Sequence, residues 1–277
     1  MSTAKVIFNL ADKCSNYVKA FGKSSILQTK PFKGKLTPNS LGVVFSDGSI
    51  KFQSEKSAMK YINNRLQDSL NRSTKDQFER VIAKKETTII GEGNGSHNEC
   101  NEAFFNIPGM GERFIKEDIP RDLEVFHSHP DVFGKGKTAP LSSPDGGDIG
   151  IFFNLKLKKI VAINSNGEFN SLEVGQNFSD KNYKLFANGM GEYVGKKVLG
   201  KLYDQMKNLF DKINEYESKN LDIPEELTRK QDVLMGKVSE IERDIQASGK
   251  LEKFVHEYYQ KANDFGMIYS TNFSNLI

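Results

Sequence analysis

Residues 123–130 read LEVFHSHP, and LSSPD follows at 141–145. Leu123-Glu124-Val125-Phe126 is a short apolar run of strand type that leads straight into His127. In an extended chain alternate side chains share a face, so His127 and His129 point the same way at a strand end. Two imidazoles so placed can approach one metal ion without backbone distortion, and Pro130 ends the strand and turns the chain. Asp145 supplies a third, anionic ligand. Two histidines and one carboxylate leave a fourth tetrahedral position for water, the open geometry of a catalytic zinc site. Zinc there lowers the pKa of bound water to about 7. Ser142 precedes Asp145 by three residues, where its hydroxyl can cap a following helix or donate to a developing oxyanion.

Outward from this segment the chain divides into three parts. In residues 1–73, Leu41–Ser46 and Ser49–Phe52 flank Asp47-Gly48, a strong hairpin signal. A helix is expected from Ser54 to Leu70, on the spacing of Ala58, Tyr61, Ile62, Leu66 and Leu70. Residues 74–178 form the core around the histidines. There the pattern predicts a helix from Thr74 through Lys85, a strand over residues 86–90 closed by a glycine-rich turn at 91–95, and a strand over 103–107. A helix from Asp148 and a hairpin of 159–163 with 169–174 follow. Interleaved strands and helices point to an α/β or α+β domain. Residues 179–277 read as helical throughout, with amphipathic stripes such as Leu202, Met206, Leu209 and Ile213 that pack at home or mediate self-association.

Composition narrows the function classes. With 39 basic against 36 acidic residues, net charge is only +3, which gives no argument for nucleic acid as the partner. Cys14 and Cys100 can make at most one bridge and lack metal-ligand spacing. No apolar run is long enough to span a bilayer, and the N-terminus lacks a signal-peptide core, so a cytoplasmic protein is expected, or one exported without such a signal.

The segment HSHPDVFGKGKTAPLSSPD, residues 127–145, resembles the JAB/MPN, or JAMM, metallopeptidase family, whose pattern is His-x-His-Pro, a loop, then Ser-x-x-Asp, with a glutamate far upstream. The resemblance implies a cytidine-deaminase-like α/β core, a mixed sheet flanked by helices, here with a helical C-terminal extension. It implies that His127, His129 and Asp145 bind Zn2+, that Ser142 steadies the oxyanion, and that the chain hydrolyses peptide or isopeptide bonds in a protein substrate, such as a ubiquitin-like tag. The loop between His129 and Ser142 holds twelve residues, longer than is common in the family. In the family the glutamate opens an early strand just after a helix and acts as general base, taking a proton from the zinc water and passing it to the leaving amine; Glu86 fits that place, with Glu79, Glu92 and Glu102 as rivals. Some members lack the ligands and act as metal-free scaffolds, which makes a binding or adaptor module the alternative. RadC-like and toxin-associated relatives share the histidine motif.

Other signals take plainer readings. His256-Glu257-Tyr258-Tyr259-Gln260 lacks the second histidine of a HExxH zinc motif and reads as helix surface. Gly91-Glu92-Gly93-Asn94-Gly95 lacks the lysine of a phosphate loop, and His97 reads as a solvated residue beside it. Asp148, a substitute ligand in principle, reads more simply as a capping or solvated carboxylate.

Overall fold

The computed structural model describes residues 42–96, 101–116, 118–131, 141, 148–248 and 250–272. Its frame is one mixed sheet of eight strands: β1 (Gly42–Val44), β2 (Ile50–Phe52), β3 (Arg80–Lys85), β4 (Thr88–Asn94), β5 (Glu124–Ser128), β6 (Lys159–Ile163), β7 (Phe169–Val174) and β8 (Met267–Thr271). The spatial order is β1-β2-β4-β3-β5-β6-β7-β8. Only β5 and β6 run parallel; every other pairing is antiparallel. The mixed α/β class expected from the sequence is therefore the one the chain adopts.

The first hairpin turns at Asp47-Gly48, where Gly48 takes a φ of 86° that only glycine adopts without strain. The Asp47 carboxylate accepts from the Ser49 N–H and hydroxyl, which fixes the turn. Helix α1 (Glu55–Leu70) opens on Ser54, whose hydroxyl accepts from the Ser57 N–H at 3.2 Å. Ala58, Ile62, Leu66 and Leu70 recur every four residues, so they form one buried stripe. That stripe packs on Ile82, Phe126 and Val161 and covers one face of the sheet.

The other face is covered from several directions. Helices α2 (Asn101–Phe105), α3 (Met110–Ile115) and α4 (Asp148–Asn154) precede β6. Helices α5 (Asp180–Leu199), α6 (Lys201–Ser218), α7 (Glu225–Ser248) and α8 (Lys250–Tyr259) follow β7. Phe104, Ile149, Phe152, Phe186 and Tyr259 from these helices join Val81, Val125 and Leu172 in the largest core. A separate apolar core, including Met206, Phe210, Ile213 and Val238, joins α6 to α7.

Four expectations are corrected. The helix expected over Thr74–Lys85 is a short 3-10 turn, Thr74–Asp76, followed by strand β3. The spacing of Phe78, Val81 and Ile82 suits a helix as well as a strand buried on both faces. Charges at Arg80 and Lys84 hid the strand, yet both side chains are buried with partners: Arg80 donates to Asn94 Oδ1, and Lys84 Nζ reaches Glu55 and Glu124 at 2.8 and 2.9 Å. The glycine-rich stretch is not a turn but the end of β4. A Cβ at Gly93 would stand 2.1 Å from the Ala103 carbonyl oxygen, so glycine lets α2 lie against the strand. The strand expected over residues 103–107 is accordingly the helix α2 with its following turn. Finally, the C-terminal region is not wholly helical. Strand β8 returns to pair with β7, from Asn170 opposite Thr271 to Val174 opposite Met267. All three parts of the chain thus contribute strands to one sheet.

Candidate metal centre

Strand β5 carries the histidines. Its residues alternate as expected: Phe126 and Ser128 face α1, while Val125 and His127 face the larger core. Ser128 anchors the strand end. Its Oγ accepts from the Arg80 N–H at 2.8 Å and lies 2.8 Å from Ser69 Oγ on α1. Beyond it the His129 N–H donates to the Ile163 carbonyl at 2.8 Å, which carries the sheet pattern one residue past the strand. The next clamp is Asp131, a buried carboxylate that the sequence did not single out. Its N–H donates to Gln77 Oε1 at 2.7 Å, and its oxygens accept from Gln77 Nε2 at 3.1 Å and from Ser165 Oγ at 2.8 Å. Both imidazoles thus sit on backbone fixed on either side.

The two rings converge. His127 Nε2 and His129 Nε2 are 2.9 Å apart. Asp148, the first residue of α4, brings Oδ1 to 2.7 Å from His127 Nε2 and Oδ2 to 3.5 Å from His129 Nε2. Ligands of a tetrahedral zinc site, at bond lengths near 2.0–2.2 Å, stand roughly 3.3 Å from one another. The three separations lie within about half an ångström of that spacing. His127 is fully buried, Asp148 is 3% exposed and His129 9%. Among the described residues these three form the one group of histidine, cysteine or acidic side chains able to hold a metal ion.

Burial pushes the Asp148 carboxyl up, but the field of the two imidazoles and their hydrogen bonds outweigh it and hold the group well below the usual carboxylate range. Phe104 of α2 stands beside His127, with ring centroids 6.1 Å apart, and forms an apolar wall. His127 Nδ1 is buried and has no hydrogen-bond partner among the described residues.

Of the sequence-derived ligands, His127 and His129 meet as expected. Asp145 and Ser142 lie outside the described residues, as does His97. Asp148, read from sequence as a cap or solvated residue, is instead buried against both histidines. Its signal was the start of an apolar helix, Asp148-Ile149-Gly150-Ile151-Phe152, which points its first residue inward.

Glu86 is corrected. It lies in the tight turn between β3 and β4, with a φ of 51°. The register pairs Val81 with His127 and Lys84 with Glu124, so Glu86 is at the far end of β3. Five residues of strand separate it from the His127 row, about 16 Å. With 80–85 a strand where a helix was expected, the position that follows it is remote. Glu92 pairs with Ile82, on the α1 face, and is engaged by Arg65. Glu79 precedes Val81 by two residues, as His129 follows His127 by two, so continuing the antiparallel register beyond the Val81–His127 pair would set Glu79 opposite His129. Its backbone is held by Ser96 and Gly95, and its Oε2 is shut off from solvent.

His256 is no ligand. Its Nδ1 lies 2.7 Å from the Tyr269 hydroxyl, and that hydroxyl also donates to Asn170, so the histidine ties α8 to β8. A cavity of about 480 Å³ lies on the opposite face of the sheet, between Met59 and Asn63 of α1 and Val161 and Phe169 of the strands, away from the cluster. No described helix is long and apolar enough to cross a membrane. Comparison with family models, curated proteins and solved structures yields no significant match.

Proposed function

We propose that this chain is a zinc-dependent hydrolase of peptide or isopeptide bonds. What carries the reading is the convergence of His127 Nε2, His129 Nε2 and both Asp148 oxygens on one buried point behind the sequence HSHP. Two imidazoles and a carboxylate are the donor set of an open catalytic zinc site, and leave one position for water. When bound, the ion supplies Lewis-acid chemistry: it polarises a carbonyl and acidifies water.

The chain's own groups account for the rest. His127 and His129 bind through Nε2 from a strand end that Ser128 and Asp131 hold fast. The Glu79 carboxylate, on the face of the histidines, takes the proton of the attacking water and returns it to the leaving amine. Ser142 keeps the oxyanion role that the motif resemblance implies. The same resemblance supplies the substrate class, a protein with a ubiquitin-like tag being the first to try.

The test pairs metal content with cleavage of a ubiquitin-like fusion and a model isopeptide. Glu79→Gln is expected to keep its zinc and lose about 10²–10⁴-fold in activity. Glu86→Gln is expected to keep both. Undiminished cleavage by Glu79→Gln removes that residue from the mechanism. A purified chain with no zinc and no cleavage removes the enzyme altogether.

A further inference from the structure

Asp148 stands on α4, a helix of only seven residues, so something outside it must fix its first turn. The clamps come from the C-terminal region. Tyr183 of α5, 7% exposed, donates its hydroxyl to the Ile149 carbonyl at 3.3 Å, one residue from the carboxylate. Its ring lies flat on Phe153 of the same helix, with centroids 3.9 Å apart and planes 4° from parallel. Tyr259, the last residue of α8, is fully buried and packs in the same core as Ile149 and Phe152. It stacks on Tyr269 of β8 at 5.0 Å, and Tyr269 is itself pinned by His256 and Asn170. Asn170 shares the cross-strand row of His127 through Ala162. Tyr259 thus ties α8 and β8 to the core that seats α4.

We infer that Tyr183 and Tyr259 are positioning residues that aim the Asp148 carboxylate at the histidines, so that α5, α8 and β8 are part of the metal centre. The inference rests on the zinc reading given above and deepens it. Groups behind a metal ligand set its orientation, and their loss costs about 10–100-fold in metal affinity. Each phenol acts through Asp148 and touches no substrate.

The experiment measures Zn2+ affinity by chelator competition, and the visible spectrum of the Co2+-loaded full-length chain, for wild type, Tyr183→Phe, Tyr259→Phe and His127→Ala. Both tyrosine variants are expected to bind zinc about 10-fold or more weakly and to shift the cobalt bands, while the metal-free proteins melt within a few degrees of wild type. A lowered melting point with unchanged affinity and spectrum would make the tyrosines packing residues only and overturn the inference. If Tyr259→Phe fails to fold, Tyr183→Phe, which sheds a single hydroxyl under a stacked ring, decides. His127→Ala separates the two claims. If it loses zinc while both tyrosine variants match wild type, the inference alone fails. If wild type holds no zinc, or His127→Ala holds it equally well, the metal reading itself falls.

Discussion

Replacing Asp148 by asparagine asks which aspartate completes the proposed zinc site, because the motif alone points to Asp145 and the fold brings Asp148 to the histidines. Structural zinc sites hold their ion with about 10–16 kcal/mol over four ligands, or about 2.5–4 kcal/mol each. Losing one ligand thus weakens binding by about 100-fold or more. A ligand that binds only the folded state at 100 times its Kd stabilises it by about 2.7 kcal/mol. For a chain of this size that is a rise in Tm of about 5–10 °C. At the same zinc concentration a variant with 100-fold weaker binding gains only about 0.4 kcal/mol, or roughly 1 °C. The assay is thermal unfolding of wild type, Asp148→Asn, Asp145→Asn and His127→Ala, with and without zinc, together with bound-metal analysis. Asp148→Asn and His127→Ala are expected to lose the zinc-induced shift and Asp145→Asn to keep most of it. The opposite pattern, with the shift retained in Asp148→Asn and lost in Asp145→Asn, would refute the assignment of the third ligand.

Two further outcomes probe the scaffold. Leu66→Ala, at a fully buried position between α1 and the sheet, is expected to cost about 2–5 kcal/mol in urea unfolding; a loss under about 1 kcal/mol would mean that α1 does not pack as described. Glu124 is raised by burial, but the ion pairs and hydrogen bonds to Lys84 and Lys158 outweigh that and hold it below its ordinary value of 4.5. A depressed carboxyl stabilises above its unfolded pKa and loses that contribution as pH falls through the folded value. Urea midpoints are therefore expected to decline as pH drops below about 4.5, and less steeply in Lys84→Met. Parallel acid limbs would exclude the Lys84 pair as their source.

The sequence alone determined what depends on neighbours along the chain. Asp47-Gly48 dictates the first hairpin, the Ser54 cap and a four-residue stripe dictate α1, and the runs at 159–163 and 169–174 are legible as β6 and β7. His127 and His129 were equally readable, since period-two alternation puts both on one face whatever lies around them. Tertiary structure decided the rest. A central strand buried on both faces has no alternation to read, so only its pairing with β4 and β5 distinguishes β3 from a helix. Which glutamate lies near the histidines is likewise set by cross-strand register: Glu86, expected from the sequence, stands at the far end of β3 from the His127 row. Glycines in β4 looked like a turn because the helix that needs their missing side chains follows in sequence but meets them only in space. Asp148 is adjacent to the histidines through the packing of α4 on α5 and α8, contacts between residues up to more than a hundred positions apart, which no local pattern encodes.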